Sequence, residues 1–221
     1  MVTRNAISAP TGAATKVYTG QGVGSRPTWV APAAAAGDVT AAANLTDHYV
    51  VRGDGGAKGV QTSTMVIDDS GQMLNPSQPA FSAMMSAART NVTGDGTSYT
   101  VACNVEIFDQ NSDYDNGTYT FTAPVTGRYQ FFGHIVYSTL GATTLVNSSF
   151  VSSNRTYYTQ FSGNKQDATN RFGINSSIQA DMDVSDTIYM VALASGTTKT
   201  VGVTYSSTTY PLTVFAGNLI C

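Results

Sequence analysis

Hydrophobic and polar positions alternate with a period of two through most of the chain after about residue 79, and hardly at all before it. From Gly117 to Pro124, Tyr119, Phe121 and Ala123 fall on one side and Thr118, Thr120 and Thr122 on the other, the spacing of a half-buried strand. Pro124 to Gly127 reads as a turn. The strand after it sets Tyr129, Phe131, Ile135 and Tyr137 against Arg128, Gln130, Phe132, His134 and Val136. This second face mixes polar and apolar residues. Thr187 to Leu193 and much of Leu212 to Phe215 are apolar on both faces, which a lone sandwich with one wet face does not require. The excess predicts a subunit interface, with Phe132, His134, Tyr189, Val191, Leu193 and Phe215 as its candidate residues.

Residues 1–78 hold neither the helical nor the strand period. Short apolar pieces around Val17, Trp29, Val50 and Val66 are separated by Gly-rich turns, and the alanines from Ala33 to Ala36 are hemmed in by Pro32 and Gly37. A segment so poor in apolar residues does not close a core of its own, so it is either disordered or stabilised by identical copies wrapped around it, and the intertwined form is the expectation. The pattern therefore predicts an extended, turn-rich β stalk over 1–78, intertwined between chains, and a β domain over 79–221. Trp29, beside Pro27, reads as a packing anchor between chains. Arg52-Gly53-Asp54, followed by two glycines, reads as a turn within the stalk.

Charge removes several function classes. Only 11% of the residues are Asp, Glu, Lys or Arg, against about 25% in an ordinary soluble protein, and the net charge is -3. With a pI near 5.1 the chain lacks the basic stripe that a nucleic-acid partner requires. No apolar run approaches the roughly 18 residues that span a bilayer, so no membrane insertion is expected, and MVTRNAISAPTG at the start lacks the apolar core of a signal peptide. Cys103, in an apolar segment, and Cys221 read as free thiols.

Catalytic chemistry finds little to stand on. The histidines are His48 and His134, and the chain has no G-x-S-x-G elbow, H-E-x-x-H, P-loop or G-x-G-x-x-G after a strand. Asp109, Asp113, Asp115, Asp181, Asp183 and Asp186 fall in turn-like clusters rather than as a pair facing across a cleft. No enzyme activity, catalytic residue or cofactor is expected. Asp109, Asn111, Asp113 and Asp115 put oxygens at alternate positions, which suits calcium, although the glycine of an EF-hand loop is replaced by Tyr114. They are weak metal candidates.

Two resemblances give these readings a shape. Gly22-Val23-Gly24-Ser25-Arg26-Pro27-Thr28-Trp29, Leu45 to Gly56, and Thr64 to Gly71 resemble short modules that recur in bacteriophage fibre and other virion proteins, over most of residues 15–75. They imply an elongated trimeric stalk that attaches a distal domain to a particle. Asp109, Tyr114, Phe121, Gly127, Tyr129 and Phe131 resemble the signature of the C1q and tumour-necrosis-factor superfamily at its relative spacings. Pro79 to Ala83, Asp183 to Ile188 and Phe215 to Ile220 resemble its opening, late and closing strands. Cys103 and Gly133 depart from it, each standing where an aromatic is usual. Over about 140 residues the resemblance implies a jelly roll of about ten strands that assembles as a homotrimer.

The expected function is that of a bacteriophage virion structural protein on the virion surface: a trimeric fibre or spike joined to other virion proteins through 1–78. Its head would touch a host cell-surface glycan or protein. The contacting loops would be the stretches around Gly94–Tyr99, Asn147–Tyr158, Gly163–Asn170 and Ser195–Lys199, with Tyr99, Tyr157, Tyr158, Asn164 and Lys165 as candidates. A secreted C1q-like adhesion or signalling ligand is the alternative, for which a signal peptide and a Gly-X-Y stalk are wanting. A passive capsid decoration is another.

Overall fold

The computed structural model describes residues 44–56, 59–163, 166–205 and 207–221, with the backbone of 17–19, 28–30 and 40–41. Asn164 and Lys165, the alanine run Ala33 to Ala36, and the side chain of Trp29 lie outside the described residues. The chain divides into two compact units, Met1–Leu74 and Asn75–Cys221.

In the first unit, β1 (Val17–Thr19) pairs antiparallel with β2 (Thr28–Val30). A second sheet joins β3 (Thr40–Ala41), β4 (Tyr49–Gly53), β5 (Gly59–Ile67) and β6 (Met73–Leu74) around β5, with β3 parallel to it and β4 and β6 antiparallel. Asp54 closes the turn after β4 by accepting the Gly56 amide at 2.7 Å, an Asx turn that the two following glycines permit. Between residues 44 and 74 no described side chain is buried. Leu45, Tyr49, Val51, Ile67, Met73 and Leu74 stand exposed.

The second unit is a sandwich of two antiparallel sheets. Its strands are β7 (Ala80–Met84), β8 (Arg89–Thr93), β9 (Ser98–Thr100), β10 (Val105–Asp109), β11 (Tyr114–Asp115), β12 (Thr120–Thr122), β13 (Gly127–Ser138), β14 (Leu145–Ser152), β15 (Thr156–Ser162), β16 (Phe172–Met182), β17 (Thr187–Ser195), β18 (Val201–Val203) and β19 (Val214–Leu219). The seven-stranded sheet runs β10-β7-β19-β13-β18-β8, with β16 also on β13. The six-stranded sheet runs β11-β12-β17-β14-β15, with β9 also on β17. Successive strands cross repeatedly from one sheet to the other, and this is the jelly-roll connectivity. Among the described residues there is no α-helix.

The alternation along β13 carries the core. Tyr129, Phe131, Gly133, Ile135 and Tyr137 point inward and are buried, and Arg128, Gln130, Phe132 and His134 point outward. Phe81, Tyr114, Phe121, Phe131 and Phe215 meet inside as a ring cluster: Phe81 stacks on Tyr114 at 4.6 Å and meets Phe215 edge-on at 4.9 Å. Offset and edge-on rings add to the area they bury. The Tyr114 hydroxyl, buried with them, donates to the Cys103 carbonyl at 2.7 Å. Two glycines make room for this cluster. A Cβ on Gly133 would lie 2.5 Å from the Met190 sulfur and 2.9 Å from the Phe150 ring, and one on Gly217 would lie 2.5 Å from Phe131. Gly133 therefore holds a position where an aromatic has no space, because Phe150 and Met190 already occupy it.

Three expectations change. The strand read over Gly117 to Pro124 begins only at Thr120, because the Asp115 carboxylate accepts the Gly117 and Thr118 amides and bends the chain, leaving Tyr119 at φ 62°. The loop expected over Asn147–Tyr158 is a hairpin whose turn is confined to 153–155, with β14 and β15 paired from Leu145↔Ser162 to Val151↔Thr156. Small polar residues there occupy strand positions: Ser148 lies on the core-facing row with Val146 and Phe150. Phe215 is 1% exposed and belongs to the core of a single chain. It leaves the candidate interface because β19 is paired on both edges and its Phe215–Gly217 row faces inward.

Candidate interaction surfaces

The outward face of the seven-stranded sheet gathers side chains far apart in sequence. Phe132 is 44% exposed and Phe108 51% exposed; with Gln130, Ser177, Ala216 and Asn218 they line a shallow depression of about 330 Å³. No charged side chain lines it. β13, β16 and β19 put them there by register, since Phe132 is opposite Ser177 on one side and Ala216 on the other. Phe108 reaches the same face from β10 because the register shifts between Glu106 and Phe108. Such a patch of apolar rings on an uncharged sheet face is the kind of surface that association covers.

His134 lies on this face, half-buried, opposite Asn175 and Val214. Burial holds its imidazole below the usual histidine range, favouring the neutral ring. Unfolded, the same ring titrates near about 6.5, so between the two values the unfolded chain binds more protons. The contribution of His134 to stability is thus undiminished above about pH 6.5 and falls as pH drops through that value toward the lower folded one. Replacing it with asparagine is expected to flatten the dependence of the urea midpoint between about pH 7.5 and 5; equal slopes for both proteins would remove His134 as its cause.

Tyr189, Val191 and Leu193 sit on β17, in the other sheet. Their row points away from the core, while Ile188, Met190, Ala192 and Ala194 point into it. Val191 is 8% exposed within one chain, leaving little of it for a partner. The remaining interface candidates are therefore divided between opposite faces of the sandwich, and one flat contact cannot use them all.

The loops cluster at the end of the sandwich remote from the start of β7 and the end of β19. The Thr197 amide donates to Gly94 O at 3.0 Å, Gly163 N to Thr144 O at 2.9 Å, and the Gln166 side chain to Gly141 O at 2.8 Å. Of the tyrosine candidates, Tyr158 is 69% exposed on β15. Tyr157 is half-buried, as is Tyr99, which pairs with inward-facing Ala192 and packs on the core; burial pushes its hydroxyl up. Neither Tyr157 nor Tyr158 belongs to this loop cluster, being near the hairpin turn.

The calcium candidates lie on one turn, most of them bonded to nearby backbone, while the buried Asp113 Oδ2 has no hydrogen-bond partner among the described residues. Asp109 accepts the amides of Asp113 at 3.2 Å and Tyr114 at 3.0 Å, Asp115 caps its own turn, and the Asn111 amide donates to Ser77 O at 3.0 Å. Burial, and the Asp109 charge beside it, push the Asp113 carboxyl up. Among the described residues no three His, Cys, Asp or Glu side chains are grouped to hold a metal ion. Cys103 and Cys221 are unpaired, and burial raises the Cys103 thiol to about 12.

No family model matches the chain, and no curated protein matches it. Among solved structures it is similar to the globular domain of zebrafish complement 1qA protein, 19% identical, with a TM-score of 0.43 and coverage of 65% of this chain and 98% of that one. It is also similar to murine APRIL, 9% identical, with a TM-score of 0.45 and coverage of 65% and 99%. Vertex protein P5 of phage PRD1 is 11% identical, with a TM-score of 0.44 and coverage of 65% and 97%. Each likeness covers about the length of the sandwich and is one of fold.

Proposed function

We propose that the chain is a structural protein of a bacteriophage virion, a homotrimeric spike. Residues 1–78 would join it to other virion proteins, and its jelly-roll head would be displayed outward to touch the host surface. The observation that carries the trimeric reading is the first unit, a β sheet in which no described side chain is buried while six large apolar ones stand exposed. A sheet with both faces open buries too little to offset its ordering entropy, and copies of the same segment are the simplest cover. The Phe108–Phe132 face supplies a second uncovered surface in the head. The fibre-like modules over 15–75 favour attachment to a particle, and the loops clustered at one end of the sandwich favour a surface for host contact.

Light scattering of the purified chain at micromolar concentration is expected to give three times the 23.2 kDa of one copy; a stable monomer would overturn the assembly. Excess full-length protein is expected to inhibit particle adsorption to host cells. Trimers that leave adsorption untouched would make the protein a decoration without a receptor.

A further inference from the structure

In a chain with 11 lysines and arginines among 221 residues, Arg128 and Arg155 line the same depression. It holds about 220 Å³ and is completed by Tyr157, Gln179, Ala180 and Asp181. Arg128, opposite Asp181, and Gln179 come from the outward row of β13 and β16, the outer strand of its sheet. Arg155 ends the turn that leads into β15, the outer strand of the other sheet, and Tyr157 lies at the start of that strand. The depression thus lies where two sheet edges approach, away from the clustered loops and beside the Phe108–Phe132 depression, Gln130 of one being opposite Gln179 of the other. Among the described residues neither guanidinium makes a hydrogen bond, and the only ion pairs are those of His48. Asp181 is not within ion-pair distance of either arginine. The nearby Asp186 carboxylate is engaged by the Ser153 hydroxyl at 2.8 Å, the Asn154 amide at 3.3 Å and the Asp183 amide at 2.9 Å.

We propose that this depression binds a singly charged, carboxylate-bearing sugar unit. Two arginines against one aspartate leave one positive charge uncompensated, which suits a monoanion and disfavours a phosphate monoester, whose second charge Asp181 would repel. Planar guanidinium groups hold carboxylates through paired N–H bonds. The Asp181 carboxylate needs donors, which sugar hydroxyls provide, and the Gln179 amide both donates and accepts. The Tyr157 ring gives a flat apolar wall for the sugar's carbon face. This site is independent of the host-contact reading and is tested without cells.

The experiment is calorimetric titration of the full-length protein with trigalacturonate, with neutral galactotriose and inorganic phosphate as separate arms. Saturable binding of trigalacturonate alone, weakened at least about tenfold by Arg155→Gln and by Arg128→Gln and reduced by added salt, is expected. Because neither side chain bonds to another described residue, both variants should keep the wild-type melting temperature. No saturable binding, or equal binding of galactotriose, overturns the proposal. Competition by phosphate at equal affinity overturns the carboxylated sugar in favour of a general anion site. Variants that change the oligomeric mass while leaving trigalacturonate binding intact assign the arginines to contacts between copies, and overturn it too.

Discussion

Replacing Phe81 with alanine is expected to unfold the head under conditions where the wild type is folded. The Phe81 ring lies 4.6 Å from Tyr114, 5.1 Å from Phe121 and 4.9 Å from Phe215, and it is 1% exposed. β7 carries it between β10 and β19, so backbone pairing on both sides prevents the strand from collapsing into the gap. Lost transfer energy and an unfilled cavity together cost roughly 3–5 kcal/mol, against roughly 5–15 kcal/mol for the stability of a whole domain. Urea unfolding followed by circular dichroism, at one fixed protein concentration because the proposed assembly would add to stability, is the measurement. Phe108→Ala, at a ring 51% exposed, should move the midpoint far less. A loss below about 1 kcal/mol for Phe81→Ala would show that the ring cluster does not organise the core.

Much of this core is legible in the alternation itself. β13 reads correctly from Arg128 to Tyr137, with Gly127 assigned instead to the turn before it, because its inward row is mostly aromatic or branched and its outward row holds Arg128, Gln130 and His134, so one parity alone keeps charge in water. β19 offered no such contrast. Val214, Phe215 and Ala216 are apolar on either parity, and the residue that decides is Gly217, whose missing side chain admits the Phe131 ring. Since Gly217 faces inward, so does Phe215 two positions earlier, and a glycine in a strand was the available signal.

The surfaces were legible only in part. Phe132 and His134 announce themselves as apolar or titratable residues on a row that also holds Arg128 and Gln130. Phe108 does not, because its side depends on the register shift in β10, which no local pattern shows. Serine and asparagine from Asn147 to Ser149 looked like a loop by composition, yet they sit between two paired strands where backbone bonding outweighs weak β propensity. Arg128 lies on one sheet and Arg155 on the turn leading into the outer strand of the other, and only the meeting of two sheet edges brings them to one depression. Nothing in the spacing of two arginines encodes that.

If the proposed trimer closes over the Phe108–Phe132 face, Phe132→Glu is expected to convert it to monomers without unfolding the head. On a single chain the ring is 44% exposed and stands on the outward row of β13 rather than in the core, so exchanging it for a carboxylate has a small direct cost. If three copies close over the Phe108–Phe132 face, each brings one carboxylate into an uncharged surface with no cation lining the depression to pair it. An uncompensated buried charge costs several kcal/mol, and the penalty enters once per copy. The trimer should therefore dissociate at micromolar concentration while the circular dichroism spectrum stays that of the wild type. Val184→Glu, at a turn residue 59% exposed, serves as the charge control and should leave the mass unchanged. The outward row of β17 gives the competing outcome. If Phe132→Glu remains trimeric and Tyr189→Glu dissociates, copies meet through the six-stranded sheet, and the depression around Phe132 is left without a role in assembly.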